Sequence, residues 1–104
     1  MIKVFVSCPM SGRESSDIIN TRNEILERLK EKLNTKDITL IDSYFPTFDL
    51  PNSSIDKDIY CLGRSIIKMS EANFIVFSDD WEQARGCRIE HEIALNYGLH
   101  ILKI

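Results

Sequence analysis

The chain alternates between short runs that are almost wholly apolar and longer runs in which apolar residues recur every three or four positions. Ile2 to Val6 is nearly continuously apolar and β-branched, the pattern of a strand buried on both faces, and Ser7-Cys8-Pro9-Met10-Ser11-Gly12 breaks it with proline and glycine. From about Ser16, Ile18, Ile25, Leu29 and Leu33 form a stripe beside Ile19 and Leu26, while Arg22, Glu27, Lys30 and Glu31 fill the other side. This predicts an amphipathic helix capped by Ser15 or Ser16. Ile38 to Ile41 reads as a short second strand, followed by a loop from Asp42 to Ser53 that carries Tyr44, Phe45, Pro46, Phe48 and Pro51. Asn52, Ser53 and Ser54 offer caps for a second helix striped by Ile55, Ile59, Leu62, Ile66 and Met69. Phe74 to Phe77 predicts a third strand, Ala84 to Tyr97 a third helix stopped by Gly98, and His100 to Ile104 a last strand.

Strands alternating with helices are the signature of βαβ units, so the expected architecture is a doubly wound parallel sheet with right-handed crossovers and helices on both faces. With 104 residues and no linker, repeat or low-complexity stretch, one domain over residues 1–104 is expected. A core this small leaves any sizeable cleft shallow or shared, which predicts a homo-oligomer. Net charge is -3, so no global positive field is available for a nucleic-acid backbone, and nucleic acid is not expected as a partner. The opening Met-Ile-Lys-Val-Phe-Val-Ser is too soon interrupted for a secretory signal, and no apolar run approaches a membrane span. A cytoplasmic protein without a membrane partner is the expectation. Cys8, Cys61 and Cys87 are odd in number and widely spaced, which suggests reduced thiols rather than disulfides or a metal site. No cofactor is predicted.

In doubly wound sheets ligands sit beyond the carboxyl ends of the strands. That rule selects the loop Ser7 to Arg13, the loop Asp42 to Phe48, and Ser78 to Gly86 with the helix it opens. The first offers backbone amides, small residues and Arg13 beside a helix start, which suits a phosphate or a sugar hydroxyl; it lacks the Gly-Lys-Ser/Thr ending of a triphosphate-binding loop. In the third, Gly86, Glu90 and Ala94 recur every four residues, setting small side chains above and below a carboxylate. Near the helix start the dipole should favour the charged form of Glu90, as a nucleophile or cation stabiliser requires; the alternative is an ordinary helical glutamate. Trp81 either stacks on a base or sugar, clamps its loop, or sits in a subunit contact. Arg85 and Arg88 either hold a phosphate or pair with Glu82 and Glu92 on their own helix. His91 and His100 read as structural, and Cys8 and Cys87 as small buried thiols.

The segments Val4 to Arg13, Leu62-Gly63-Arg64-Ser65, Ala72-Asn73, Asp80-Trp81-Glu82 and Ala84 to Ala94 resemble the nucleoside 2-deoxyribosyltransferase-like superfamily, in particular its small phage and bacterial branch. The resemblance covers nearly the whole chain. It implies a flavodoxin-like sheet of about four strands in the order 2-1-3-4, an oligomer of two or more subunits, and cleavage or transfer at the N-glycosidic bond of a nucleoside or nucleoside monophosphate. On that resemblance Glu90 matches the catalytic glutamate. Ser7, Met10, Gly12 and Arg13 match the loop that approaches base, sugar or phosphate, and Asp80, Trp81, Arg85 and Gly86 match the substrate-binding segment before and at the start of the catalytic helix. Two departures stand out. Ser65 occupies the place of an aspartate, with Asp56 and Asp58 one or two turns earlier, and the chain stops at Ile104 where transferases continue into a further strand. A serine cannot protonate a departing base, and Asp79 or Asp80 is the nearest substitute unless both are turn residues. Two functions follow: an enzyme of nucleoside or nucleotide glycosidic chemistry, or a binding protein that keeps the pocket without turnover.

Overall fold

A computed structural model describes residues 1–9, 14–41 and 56–104. The elements are β1 (Ile2–Ser7), α1 (Ser15–Leu33), β2 (Ile38–Leu40), α2 (Lys57–Met69), β3 (Phe74–Phe77) and α3 (Arg85–Asn96), with a 3₁₀ turn at Trp81–Gln83. The sheet is parallel throughout, in the order β2-β1-β3. Val4 of the central strand lies opposite Leu40 on one side and Phe74 on the other. At its other end Ser7 lies opposite Phe77, so β1 and β3 finish together.

Because strand side chains alternate, β1 feeds two separate cores. Val4, Val6 and Cys8 face α1 and pack with Ile18, Ile25, Leu29, Ile38 and Val76. Phe5 faces the other way and packs with Met69 of α2, Ile75 of β3 and Ala94 of α3. Helices therefore cover both faces, α1 on one and α2 with α3 on the other. Asn73 ties the start of β3 to β1, accepting from the Lys3 amide at 2.8 Å while its own amide donates to the Lys3 carbonyl at 2.7 Å.

Among the described residues the sheet has three strands, one fewer than expected. The segment predicted as the fourth runs parallel to β3 but joins it only through Ile75 and Ile101. The Ile75 amide donates to the His100 carbonyl and the Leu102 amide donates to the Ile75 carbonyl, each at 2.9 Å. Those two bonds define one bridge and not a ladder.

Two capping expectations also change. Glu14, in extended conformation and without a side-chain capping bond to the helix, precedes α1, which places Ser15 and Ser16 inside the first turn. For α2 the cap is Asp56, whose carboxylate accepts from the Ile59 amide at 3.0 Å. Asn52, Ser53 and Ser54 lie outside the described residues, as does the aromatic loop from Asp42 onward. Gly98, with φ of +65°, follows α3 in the left-handed conformation its expected role requires. No helix among the described residues is long and apolar enough to cross a membrane.

Candidate functional site

Ser7 is the last residue of β1 and shares the face of Phe5, so it points toward α3 at the carboxyl edge of the sheet. On α3 the inward residues are Cys87, Glu90 and Ala94, a helical stripe in which a carboxylate replaces the usual apolar side chain. These two placements meet. The Ser7 hydroxyl donates to Glu90 Oε1 at 2.7 Å, with Ser7 2% and Glu90 6% exposed.

Burial raises the Glu90 carboxyl from the ordinary 4.5 to about 7, and the hydrogen bond from Ser7 holds it from rising further. This reverses the expectation that the helix dipole keeps Glu90 charged. Glu90 stands in the second turn of α3, where the dipole has already weakened, and desolvation is the larger effect. Beside it, burial pushes the Cys87 thiol up to about 12, with a hydrogen bond to Ser7 opposing and the negative charges of Glu90, Cys8 and Asp80 adding to the rise. Cys87 is a protonated, unreactive thiol at neutral pH.

The Ser7–Glu90 pair lies against a cleft of about 620 Å³. Ser7, Cys8 and Pro9 contribute from the exit of β1, Asp56, Asp58, Leu62 and Ser65 from α2, and Arg85, Gly86, Cys87 and Glu90 from α3. The size is that of a small-molecule site. A Cβ built on Gly86 would meet nothing within 4 Å, so the space beside the carboxylate is open at that residue. Ala94 is different: it is fully buried against Phe5 and Met69 and belongs to the core, not the cleft.

Of the residues singled out in sequence, Ser7, Arg85, Gly86 and Glu90 are brought together here. Met10, Gly12 and Arg13 lie outside the described residues. Asp80 and Trp81 are not among the residues that line this cleft, though the charge of Asp80 reaches Cys87 within it. Asp80 accepts a hydrogen bond from the Ser78 hydroxyl at 2.7 Å. Trp81 stacks on His91 with ring centres 4.2 Å apart and planes 14° apart, and Phe77 closes the group at 5.5 Å from Trp81 and 4.9 Å from His91. That cluster clamps the turn between β3 and α3. Arg85 meets neither Glu82 nor Glu92; it pairs with Asp58 of α2 at 3.5 Å, both side chains being largely exposed. Arg88 donates to the Glu82 carbonyl at 2.7 Å, bracing the 3₁₀ turn. Asp79 is surface-exposed and 3.8 Å from Arg28.

Of the α2 wall, Asp56, Asp58 and Ser65 were singled out only through the resemblance, and Leu62 was expected only in the apolar stripe of its helix. The rule of strand ends selected loops, yet α2 follows β2 and therefore also begins at the carboxyl edge of the sheet. Asp58, Leu62 and Ser65 recur at helical spacing and line the cleft from that helix. No group of three His, Cys, Asp or Glu side chains able to hold a metal ion occurs among the described residues.

Comparison with known proteins adds a family and no function. No curated protein matches the chain. A family model described as a domain of unknown function, DUF4406, matches residues 2–103, and the chain belongs to that family.

Proposed function

We propose that this protein cleaves or transfers the N-glycosidic bond of a nucleoside or nucleoside monophosphate, with Glu90 as the group that meets the anomeric carbon. The observation that carries the reading is the buried Ser7–Glu90 pair beside an open cleft at the carboxyl edge of a parallel sheet. The resemblance to the nucleoside 2-deoxyribosyltransferase-like superfamily supplies the reaction class. The order β2-β1-β3, with residues 100–102 beside β3, supports a flavodoxin-like sheet of order 2-1-3-4.

In this reading one carboxylate oxygen of Glu90 is held by the Ser7 hydroxyl, which fixes the side chain before substrate arrives. The carboxylate attacks the anomeric carbon or stabilises its cation, the carbon–nitrogen bond breaks, and its electron pair leaves with the base, which takes a proton from solvent. Water, in a hydrolase, or a second base, in a transferase, then takes the glycosyl group and frees Glu90. The ionised form does this work, so with a pKa of about 7 base release should rise through neutrality and level off above it. Arg85 at the rim suits a 5′-phosphate, which would compete with Asp58 for the guanidinium.

A second reading, a nucleotide-binding protein without turnover, is favoured by one residue. Ser65 lines the cleft where the resemblance leads one to expect an aspartate, so no acid stands at that place to protonate the departing base. Incubation with a panel of nucleosides and nucleoside monophosphates, reading free base by chromatography and thermal stabilisation in parallel, separates the two. Base release abolished by Glu90→Ala supports the enzyme. Stabilisation by a ligand recovered intact supports the binder, and neither signal from any member of the panel sinks both.

A further inference from the structure

We propose that Cys87 is a positioning residue: its thiol donates a hydrogen bond to the Ser7 hydroxyl and so aims that hydroxyl at Glu90. The arrangement deepens the reading of Glu90 as the reacting group, and it rests on that reading only for its effect on turnover. It begins from a cluster of buried side chains on one cleft. Ser7, Cys87 and Glu90 are 2%, 3% and 6% exposed, and all three line the cleft. Cys87 and Glu90 stand three apart on the inward stripe of α3, so both face the end of β1, where Ser7 meets them. Ser7 hydrogen bonds with each, with Glu90 Oε1 at 2.7 Å and with the Cys87 thiol.

The number of protons fixes the direction of each bond. A serine hydroxyl has one proton to give and two lone pairs with which to accept. Its proton goes to Glu90, which has none to offer in return when ionised. The bond with Cys87 therefore runs the other way, from the thiol to Ser7 Oγ, and this requires Cys87 to keep its proton. Burial, reinforced by the charges of Glu90, Cys8 and Asp80, holds that proton in place well above neutral pH.

What the thiol adds is direction. A hydroxyl turns among three staggered positions, and one of them points its proton at Glu90. A donor seated on Ser7 Oγ disfavours the position that would point back at it, and it polarises the O–H bond, so the hydroxyl is set toward Glu90 before substrate arrives. A weak donor is enough for this. The same protonated state that denies Cys87 a part as nucleophile thus fits it to serve Ser7.

Two spectroscopic measurements on the full chain test the relay without requiring turnover. The first is the infrared S–H stretch of Cys87, assigned by subtracting the spectrum of Cys87→Ala. It should lie at the lowered frequency of a donating thiol and move toward the free-thiol position in Ser7→Ala. The second is the Glu90 pKa, read by carbon-13 NMR of the labelled carboxyl in a double-mutant cycle. Cys87→Ala should lower the acidity constant of Glu90 by about threefold, the factor for a hydroxyl released among its staggered positions. In the Ser7→Ala background the same substitution should change nothing, because the thiol acts only through Ser7. Asp56, Asp58 and Arg85 line the same cleft and are common to every member of the cycle, so their charges cancel in the comparison. Cys87→Ser keeps a donor at that place and should restore the wild-type value.

An S–H band unmoved by Ser7→Ala, as for a thiol bonded to a helix carbonyl instead, overturns the proposal. So does a Cys87→Ala effect on the Glu90 pKa that is absent, or that is equally large without Ser7, since the latter is a packing effect alone. If the chain releases base, its pH profile should move alkaline in Cys87→Ala by the same interval as the pKa. A chain that releases none removes the reaction proposed above and leaves both spectroscopic outcomes to decide the relay.

Discussion

The two faces of the sheet are built from the same strands and do different work. Against α1, Val4, Val6 and Val76 meet Ile18, Ile25 and Leu29 in a core with no buried carboxylate. Against α2 and α3, Phe5, Ile75, Met69 and Ala94 form a smaller cluster, and beyond it toward the carboxyl edge the stripe ends in Ser7 and Glu90. One face is filled and the other is left polar and open where a ligand can enter. The division follows from strand alternation: a single step along β1, from Val6 to Ser7, moves from the closed core to the site. Stability should therefore be concentrated on the α1 side, and the α2/α3 side should carry a cost that a substitution can relieve.

The largest effect should come from the closed face. Leu29 is fully buried, and Leu29→Ala should destabilise the protein by about 3 kcal/mol, measured by urea unfolding. A loss below about 1 kcal/mol would mean that α1 is not the principal support of the fold.

Glu90→Gln should do the opposite. The folded protein binds the Glu90 proton up to about pH 7, whereas the unfolded chain releases it near 4.5. Between those values the native state holds more protons, so rising pH removes stability, and above about 7 the whole penalty of ionising a buried carboxyl is present, about 3 kcal/mol from the shift. Below pH 4.5 both states are protonated and the penalty is absent. Glu90→Gln, neutral at every pH, should thus be more stable than wild type at pH 8, with the advantage vanishing at pH 4. Unfolding free energies at the two pH values measure this, and an equal difference at both would show that Glu90 does not titrate across the window.

Ser7→Ala sharpens the same contrast by a smaller amount. Removing the hydroxyl takes away a hydrogen bond that favours the charged form, so the Glu90 pKa should climb above 7, by roughly one unit for a charge-assisted bond. Carbon-13 NMR of the labelled carboxyl reads this directly. If the chain turns over, its pH profile should move alkaline by the same interval. A pKa that stays or falls would mean that the Ser7 hydroxyl does not serve the carboxylate.

The elements of both faces were largely legible in the sequence, and the electrostatics of the open face were not. β1, α1, β2, β3 and α3 fall within a residue or two of their expected bounds because each rests on hydrophobic periodicity, the strongest local signal. Glu90 could be singled out from its Gly86 and Ala94 neighbours, but its charge state could not be read there, since that depends on desolvation by elements distant in sequence. The signal was nonetheless present. Cys87, Glu90 and Ala94 fall on one helical stripe, and a glutamate in line with a cysteine and an alanine is a buried glutamate. The misplaced cap of α1 has a different cause: Ser15 and Ser16 are good caps by type, and the chain begins its helix at Ser15 from an extended Glu14. The last segment could not be ranked as strand or bridge from its own residues, because the pairing is decided by how much of β3 it reaches.

The smallest expected effect tests whether the two faces unfold as one. Asp56 caps α2 through the Ile59 amide, and Asp56→Ala should cost about 1 kcal/mol. α2 has a single fully buried residue, against three in α1, so little tertiary packing holds its first turns once the cap is gone. Its free amides should then exchange with solvent faster through local opening, while those of α1 and β1 slow or quicken only with global stability. Hydrogen exchange resolved by residue separates the cases. Acceleration confined to the start of α2 shows that the helix at the cleft opens by itself, which gives a ligand a way in. Equal acceleration across α1, β1 and α2 shows one cooperative unit, and the cleft must then admit its ligand without help from α2.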